Sequence, residues 1–286
     1  MSRLAVATLV ALLLPAATAQ GAPKPEKVYW QVNATVAPRF AQQLGFIPVA
    51  GIRPRGWFNV KVGKRTYRAQ WNNTVANAPT AAVAAGTFAF DPDAGLFIDR
   101  PLTAAEQKRA DVLADVARDA DVLVLNRANP ACGGLTYAQA KSVASGEITD
   151  WSQVGSDAGR VSLHLTGDGF PYGLFGVEKL PPGAALSSNG GLGATMQDRS
   201  SASVVPFSSV RALPAEAACI VPLDGVTPSE DTVRSLTYPG AFPVYFAMSK
   251  KRSRRALDRL MVKRYVTFLR SERARSAFAA TGAVLP

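Results

Sequence analysis

The chain has 286 residues, 48% apolar and 19% charged, and a formal net charge of +11. That composition excludes a disordered or fibrous chain and allows one large core or two modest ones. The positive balance favours anionic partners, whether solutes, lipid headgroups or acidic polymers.

Residues 1–19 have the pattern of a secretory signal. Arg3 supplies the positive start, Leu4 to Leu14 an apolar run too short for a bilayer, and Ala17-Thr18-Ala19 a small-residue cleavage site. Cleavage would leave about 267 residues beginning at Gln20. No cysteine follows where a lipid anchor needs one. The product is expected to be periplasmic or secreted, a location that disfavours nucleic acid as a partner.

Residues 20–27, rich in Pro and Lys, read as a flexible leader. Val28 to Val32 predicts a strand, and Val36 to Leu44 a helix with Pro38 near its start. Gly51 to Trp71 predicts a hairpin turning at Gly63 and Lys64, a local elaboration. Thr80 to Gly86 is a helix candidate and Ala94 to Ile98 a buried strand. Thr103 to Ala114 is expected as a helix, because Thr103 and Glu106 form a capping box. In Asp121 to Asn126 the run Val122-Leu123-Val124-Leu125 implies a strand covered on both faces.

A helix begins at Thr136, with Gln139 completing its capping box and Gly146 ending it. An apolar loop, Ile148 to Trp151, follows. Val161 to Leu165 is a strand, Asp168 to Gly176 and Ser187 to Gly193 are glycine-rich loops, and Ala202 to Pro206 and Pro243 to Ala247 are further strands. Arg254 to Leu269 closes the series as an amphipathic helix. Strands alternating with helices give an α/β fold.

Little in the sequence points to catalysis. His164, the sole histidine, lies inside a predicted strand, where a structural role is the commoner one, and no Gly-x-Ser-x-Gly elbow accompanies it. No His, Cys or carboxylate cluster has metal spacing, and Asp91 and Asp93 read as a turn feature. No enzyme activity, catalytic residue, metal or cofactor is expected. Cys132 and Cys219 are an even pair, compatible with one disulfide in an oxidising compartment and equally with two free buried thiols. The basic run from Lys250 to Arg264 reads first as a solvated helix face and second as a docking patch for an acidic partner.

Residues 135–151, Leu-Thr-Tyr-Ala-Gln-Ala-Lys-Ser-Val-Ala-Ser-Gly-Glu-Ile-Thr-Asp-Trp, resemble the "LT-x-x-Q … SG-x-I-T-x-W" segment of phosphate-binding proteins of ABC transporters. Asn33 to Pro38 is similar to their "(S/A)-T-V-A-P" opening, Asp99 to Thr103 to "S-(R/D)-x-P-L-T", and Asn126 to Pro130 to "N-P-x-N-P". Asp224 to Pro228, then Tyr238-Pro239, resemble the "DGV-x-P-(T/S) … YP" return, and Phe268 to Pro286 the closing segment. The resemblance implies a two-lobed type II periplasmic-binding-protein architecture with a ligand cleft between α/β lobes and closure about a hinge. Lobe I would comprise residues 28–126 and 222–286 and lobe II residues 127–221, with crossing strands near Asn126 and Pro222.

For the site, the resemblance implies Thr35 with the amide of Val36, Asn73 or Thr74 in the second loop, and Asp99 as the acceptor from a protonated anion. For Thr35 a plain helix cap is an equal reading, as is a cap or an ion pair with Arg100 or Arg118 for Asp99. The family's Arg is replaced by Thr166, and its Ser-Gly-Thr helix start by Phe170-Pro171-Tyr172. That exchange removes a fixed charge and a bidentate donor, so inorganic phosphate is not the expected ligand. Tyr172 and Phe170 would instead line a cleft for a larger organic solute, or fill one that binds nothing. The expected partners are a small, anionic solute and a membrane permease, and the chain is expected to be a monomer. The alternative is a relative without transport that acts as an envelope interaction module.

Overall fold

The computed structural model describes residues 26–34, 57–62, 65–74, 94–98, 101–166, 174–177, 180–187, 189–251 and 256–286. The expected signal and the helices at 36–44 and 80–86 lie outside these residues. The strands are β1 (Glu26–Ala34), β2 (Trp57–Val62), β3 (Arg65–Thr74), β4 (Ala94–Ile98), β5 (Ala110–Asn126), β6 (Ser162–Thr166), β7 (Ala185–Ser187), β8 (Ser201–Pro206), β9 (Ala218–Ile220) and β10 (Ala241–Ser249). They join in the order β2-β3-β1-β4-β10-β5-β8-β6-β7, with β9 on β5. The helices are α1 (Ala104–Gln107), α2 (Tyr137–Ala144), α3 (Leu192–Gln197), α4 (Glu230–Arg234), α5 (Ala256–Leu269) and α6 (Glu272–Ala280).

Strand β5 joins two halves. From Ala110 to Ala120 it pairs with β10, and from Asp121 to Leu125 with β8. The change of partner falls at Ala120/Asp121, upstream of the crossing expected near Asn126. The return is also displaced from Pro222. The Pro222 carbonyl accepts from the Leu135 amide and the Asp224 amide donates to the Leu135 carbonyl, so the chain stays with the second half until Gly240, whose carbonyl accepts from the Asp121 amide.

Two expectations are corrected by strand pairing. The capping box of Thr103 and Glu106 is present, with a buried Glu106, but α1 ends after one turn. Residues Ala110 to Ala114, expected in that helix, are taken by the long ladder with β10, where tertiary pairing overrides local helix signals. The hairpin is present, with Val62 opposite Arg65, but β3 is no elaboration: it pairs in parallel with β1 from Glu26↔Tyr67 to Asn33↔Thr74.

Among the described residues a continuous core fills the second half. Val122, Leu123, Val124 and Leu125 are fully buried, as the uninterrupted apolar run requires. Helix α2 forms where Thr136 and Gln139 cap each other reciprocally, and it buries Ala140, Val143 and Ala144. The chain then turns through Gly146, at φ 76°, into the loop that buries Trp151. The Trp151 indole donates to the Ser200 carbonyl at 2.7 Å, so its one polar atom is satisfied. Cys132, in a 3-10 turn after β5, is bonded to Cys219 of β9, with the Cα atoms 5.9 Å apart. In the first half, α5 lays Tyr265 and Phe268 inward, and Tyr265 meets Phe246 of β10 edge-on at 5.0 Å. Among the described residues no helix is long and apolar enough to cross a membrane.

Candidate functional site

Strand register fixes where a site can form. In the first half β1, β3 and β4 are parallel, and the pairs Asn33↔Thr74 and Ala34↔Phe97 align their C-terminal ends along one sheet edge. In the second half β6, β7 and β8 are parallel, and Thr166↔Ser187 and Leu165↔Val204 align theirs. Following β5 relates the two edges. Ile98 lies opposite Tyr245, which lies opposite Asp115, so the first edge points up β5 toward Asp121. Pro206 lies opposite Asp121 with β8 antiparallel to β5, so the second edge points back toward Asp115. The two C-terminal edges therefore face each other across the middle of β5, the crevice in which open α/β sheets hold their ligands.

The sequence-derived residues distribute around this crevice as follows. Thr166 ends β6 at the second edge, half-buried, with its hydroxyl donating to the Val204 carbonyl at 3.3 Å. Asn73 lies next to the end of β3, opposite Val32. Thr35, Val36, Asp99 and Tyr172 lie outside the described residues; Thr35 directly follows β1 and Asp99 directly follows β4. Arg118, considered as a partner for Asp99, donates to Asp115 at 2.7 Å, and this contact raises its pKa against the opposing effect of burial.

Three further groups gather where β5 changes partner, none of them singled out by the sequence. The Asp121 carboxylate is half-buried and accepts from the Phe175 amide at 2.6 Å. Phe175 is buried and held at φ 54°, a left-handed conformation costly for a bulky residue. Its ring lies 5.7 Å from that of Tyr137, the first residue of α2. The Tyr137 phenol is pushed up from its ordinary pKa by burial and then by the Asp121 charge. Tyr238 is shifted the same way by burial, then by Asp121 and by Tyr137, and its hydroxyl donates to the Val221 carbonyl at 3.3 Å. The only signal for Asp121 is a carboxylate at the head of an apolar run. Nothing local in the sequence marks the Phe175 backbone.

Asp119, one turn of the pleat earlier, is buried and spans the halves. It accepts from the Ser208 amide at 2.9 Å and from the Ser208 hydroxyl at 2.6 Å, tying the turn after β8 to the crossing strand. His164 lies in β6, half-buried, with Ser162 at 3.4 Å from Nε2 and Gly191 packed on its ring. Among the described residues no group of three or more His, Cys, Asp or Glu could hold a metal ion.

Two sheet halves joined at a crossing strand, with their C-terminal strand edges opposed, have the two-lobed architecture of periplasmic binding proteins. A model of the PBP superfamily domain matches residues 86–273, and the chain belongs to that superfamily. Among solved structures, an ABC-type phosphate transport receptor from Vibrio cholerae is similar at 17% identity, covering 90% of this chain and 100% of its own, with a TM-score of 0.59. PstS from Borrelia burgdorferi is similar at 11% identity over 91% and 99% of the two chains, with a TM-score of 0.59. A phosphate-binding protein from Stenotrophomonas maltophilia follows at 11% identity over 91% and 90%, with a TM-score of 0.52. At these identities the likeness is one of fold. No curated protein sequence matches the chain.

Proposed function

We propose that the chain is an exported solute receptor that captures a small anionic or organic ligand between its lobes and presents it to a membrane permease, without catalysing a reaction. The observation that carries this reading is the opposition of the two C-terminal strand edges across β5. On it, Thr35 with the Val36 amide, Asn73 and Asp99 act from lobe I, and Thr166 with Tyr172 from lobe II. The lobes divide at the partner change in β5 and at Gly240. Residues 121–240 then form lobe II, and the rest of the described chain lobe I.

Electrostatics narrows the ligand. Thr166 stands where the resemblance places an Arg and Asp99 where it places an acidic residue, and the Asp121 carboxylate lies where β5 changes partner. A carboxylate in the site, with Thr166 in place of the Arg, disfavours a doubly charged oxyanion and favours a ligand that carries its own donor, such as a protonated anion or an amino or hydroxyl group. Inorganic phosphate should bind about a hundredfold more weakly than to an Arg-bearing relative, the equivalent of roughly 3 kcal/mol for one charge-assisted contact. Thermal-shift screening of organic anions, amino acids and sugars tests the receptor reading, because a ligand of the native state raises apparent stability. A stabilising compound whose effect is lost in Thr35→Val and Asp99→Asn supports it. No shift across the panel favours an interaction module without transport, and submicromolar phosphate binding by calorimetry contradicts the ligand assignment.

A further inference from the structure

The chain's positive charge is concentrated in one place. Residues 250–275 contain eleven Lys and Arg against Asp258 and Glu272, a net of +9 out of the chain's +11. The remaining residues are therefore close to neutral, so the strong basicity belongs to one stretch of the chain and not to the whole of it.

The fold sets that surface away from the crevice. Lys250 follows β10 at the end where Ser249 pairs with Ala110, the start of β5, and its amide donates to the Arg109 carbonyl. Because Met248 pairs with Gly95 near the start of β4, this is the sheet edge opposite to the one that faces the crevice. Arg109, Lys250 and Lys251 are exposed at that pole. Helix α5 starts five residues further along the chain from Lys251, and Lys263 and Arg264 are exposed on it while Tyr265, Phe268 and Leu269 are buried. Arg273 is exposed on α6.

We propose that this pole and the outer flank of α5 and α6 form a peripheral docking surface for an anionic phospholipid bilayer, leaving the crevice open. The array favours a lipid plane over an acidic protein. A specific protein interface has aromatic or apolar anchors at its centre with charges at the rim, whereas here Tyr265, Phe268 and Leu269 of α5 are buried, with Tyr265 packed beside Phe246. Beside them Lys250, Lys251, Lys263, Arg264 and Arg273 are exposed, spread over a turn and two helices, with Lys250 donating to the Gln107 carbonyl. Such a set matches a uniformly charged, fluid surface, to which each Lys or Arg near the plane adds roughly a fivefold gain in partition. The attachment is electrostatic, without insertion, and so is reversible and screened by salt.

The test uses the mature chain and sedimentation with vesicles of phosphatidylcholine alone and of phosphatidylcholine with phosphatidylglycerol. Binding is expected only to the anionic vesicles at 50 mM salt, with a loss of tenfold or more at 300 mM. The triple variant Lys251→Glu, Arg264→Glu and Arg273→Glu should weaken partition by roughly a hundredfold or more, with an unchanged melting temperature confirming its fold. A control triple, Arg127→Glu, Lys141→Glu and Arg160→Glu, reverses the same number of exposed charges on the other half and should retain at least half of the binding free energy change. No binding of the unmodified chain at low salt, or equal losses in the two triples, overturns the proposal. The salt titration of the unmodified chain decides the matter even if a variant fails to fold. Because the cations lie outside the crevice, none of these outcomes bears on the solute-receptor reading.

Discussion

Removing the Cys132–Cys219 bridge should lower stability more than any single surface change. The bond joins residues 87 apart in sequence, so reduction frees a loop holding α2, β6, β7, α3 and β8. The chain-entropy relation gives about 4.6 kcal/mol at 25 °C for a loop of that length. In a protein of this size each kcal/mol moves the melting temperature by roughly 2–4 °C, so a fall of about 9–18 °C is expected, less where the unfolded chain retains structure. The assay is thermal unfolding by circular dichroism with and without reductant, alongside Cys132→Ala with Cys219→Ala. The oxidised parent should melt highest, and the double variant should match the reduced parent and ignore reductant. A difference below about 2 °C between oxidised and reduced parent would refute the entropic argument.

At the crossing, a Cβ on Gly240 would lie 2.3 Å from the Asp121 carbonyl oxygen, a backbone atom that cannot swing away. Gly240→Ala should therefore cost about 1–3 kcal/mol by overpacking, seen as a lower urea midpoint; an unchanged midpoint would mean the two strands are not locked there. Trp151→Phe removes the indole donor and leaves the Ser200 carbonyl without it, costing about 1–3 kcal/mol, whereas Trp151→Ala adds a cavity for a total of about 3–5 kcal/mol. Asp198 is held below its ordinary pKa by the Ser200 amide and hydroxyl and by Ser201. A depressed folded-state value contributes stability that is present above the unfolded pKa and lost as pH falls through the folded one. Asp198→Asn should thus flatten the acid limb of a melting-temperature profile below about pH 4, and an unaltered limb would remove Asp198 from that role.

How much of this was legible in the sequence depends on the range of the interaction concerned. The capping boxes at Thr103 and Thr136, the pairing of Val62 with Arg65 across the hairpin and the buried run Val122 to Leu125 are local signals, and each appears at its expected position. The length of α1 was not legible, because residues 110–120 carry helix-compatible Ala, Asp and Arg and become a strand only through β10, more than a hundred residues away in sequence. Three-residue strands such as β7 and β9 carry no period to detect. The disulfide stayed open for the same reason: no spacing reveals that β9 pairs with β5 beside the turn holding Cys132. Motif order placed Thr166 at a strand end and located the strand ends before Thr35 and Asp99. Asp121, Phe175 and Tyr137 come together only through tertiary contacts, so only the structure revealed them.

The receptor reading requires the loops after β1 and β6 to face one another over a single crevice. A dipolar distance measurement between spin labels on Thr35→Cys and Thr166→Cys tests it directly, since both native cysteines are bonded to each other. A cleft of roughly 300–1,000 Å³ is about 7–10 Å across. With two label tethers the distance should then lie below about 25 Å and shorten or narrow when a stabilising ligand is added. A distribution centred beyond about 40 Å and indifferent to ligand would contradict the shared crevice.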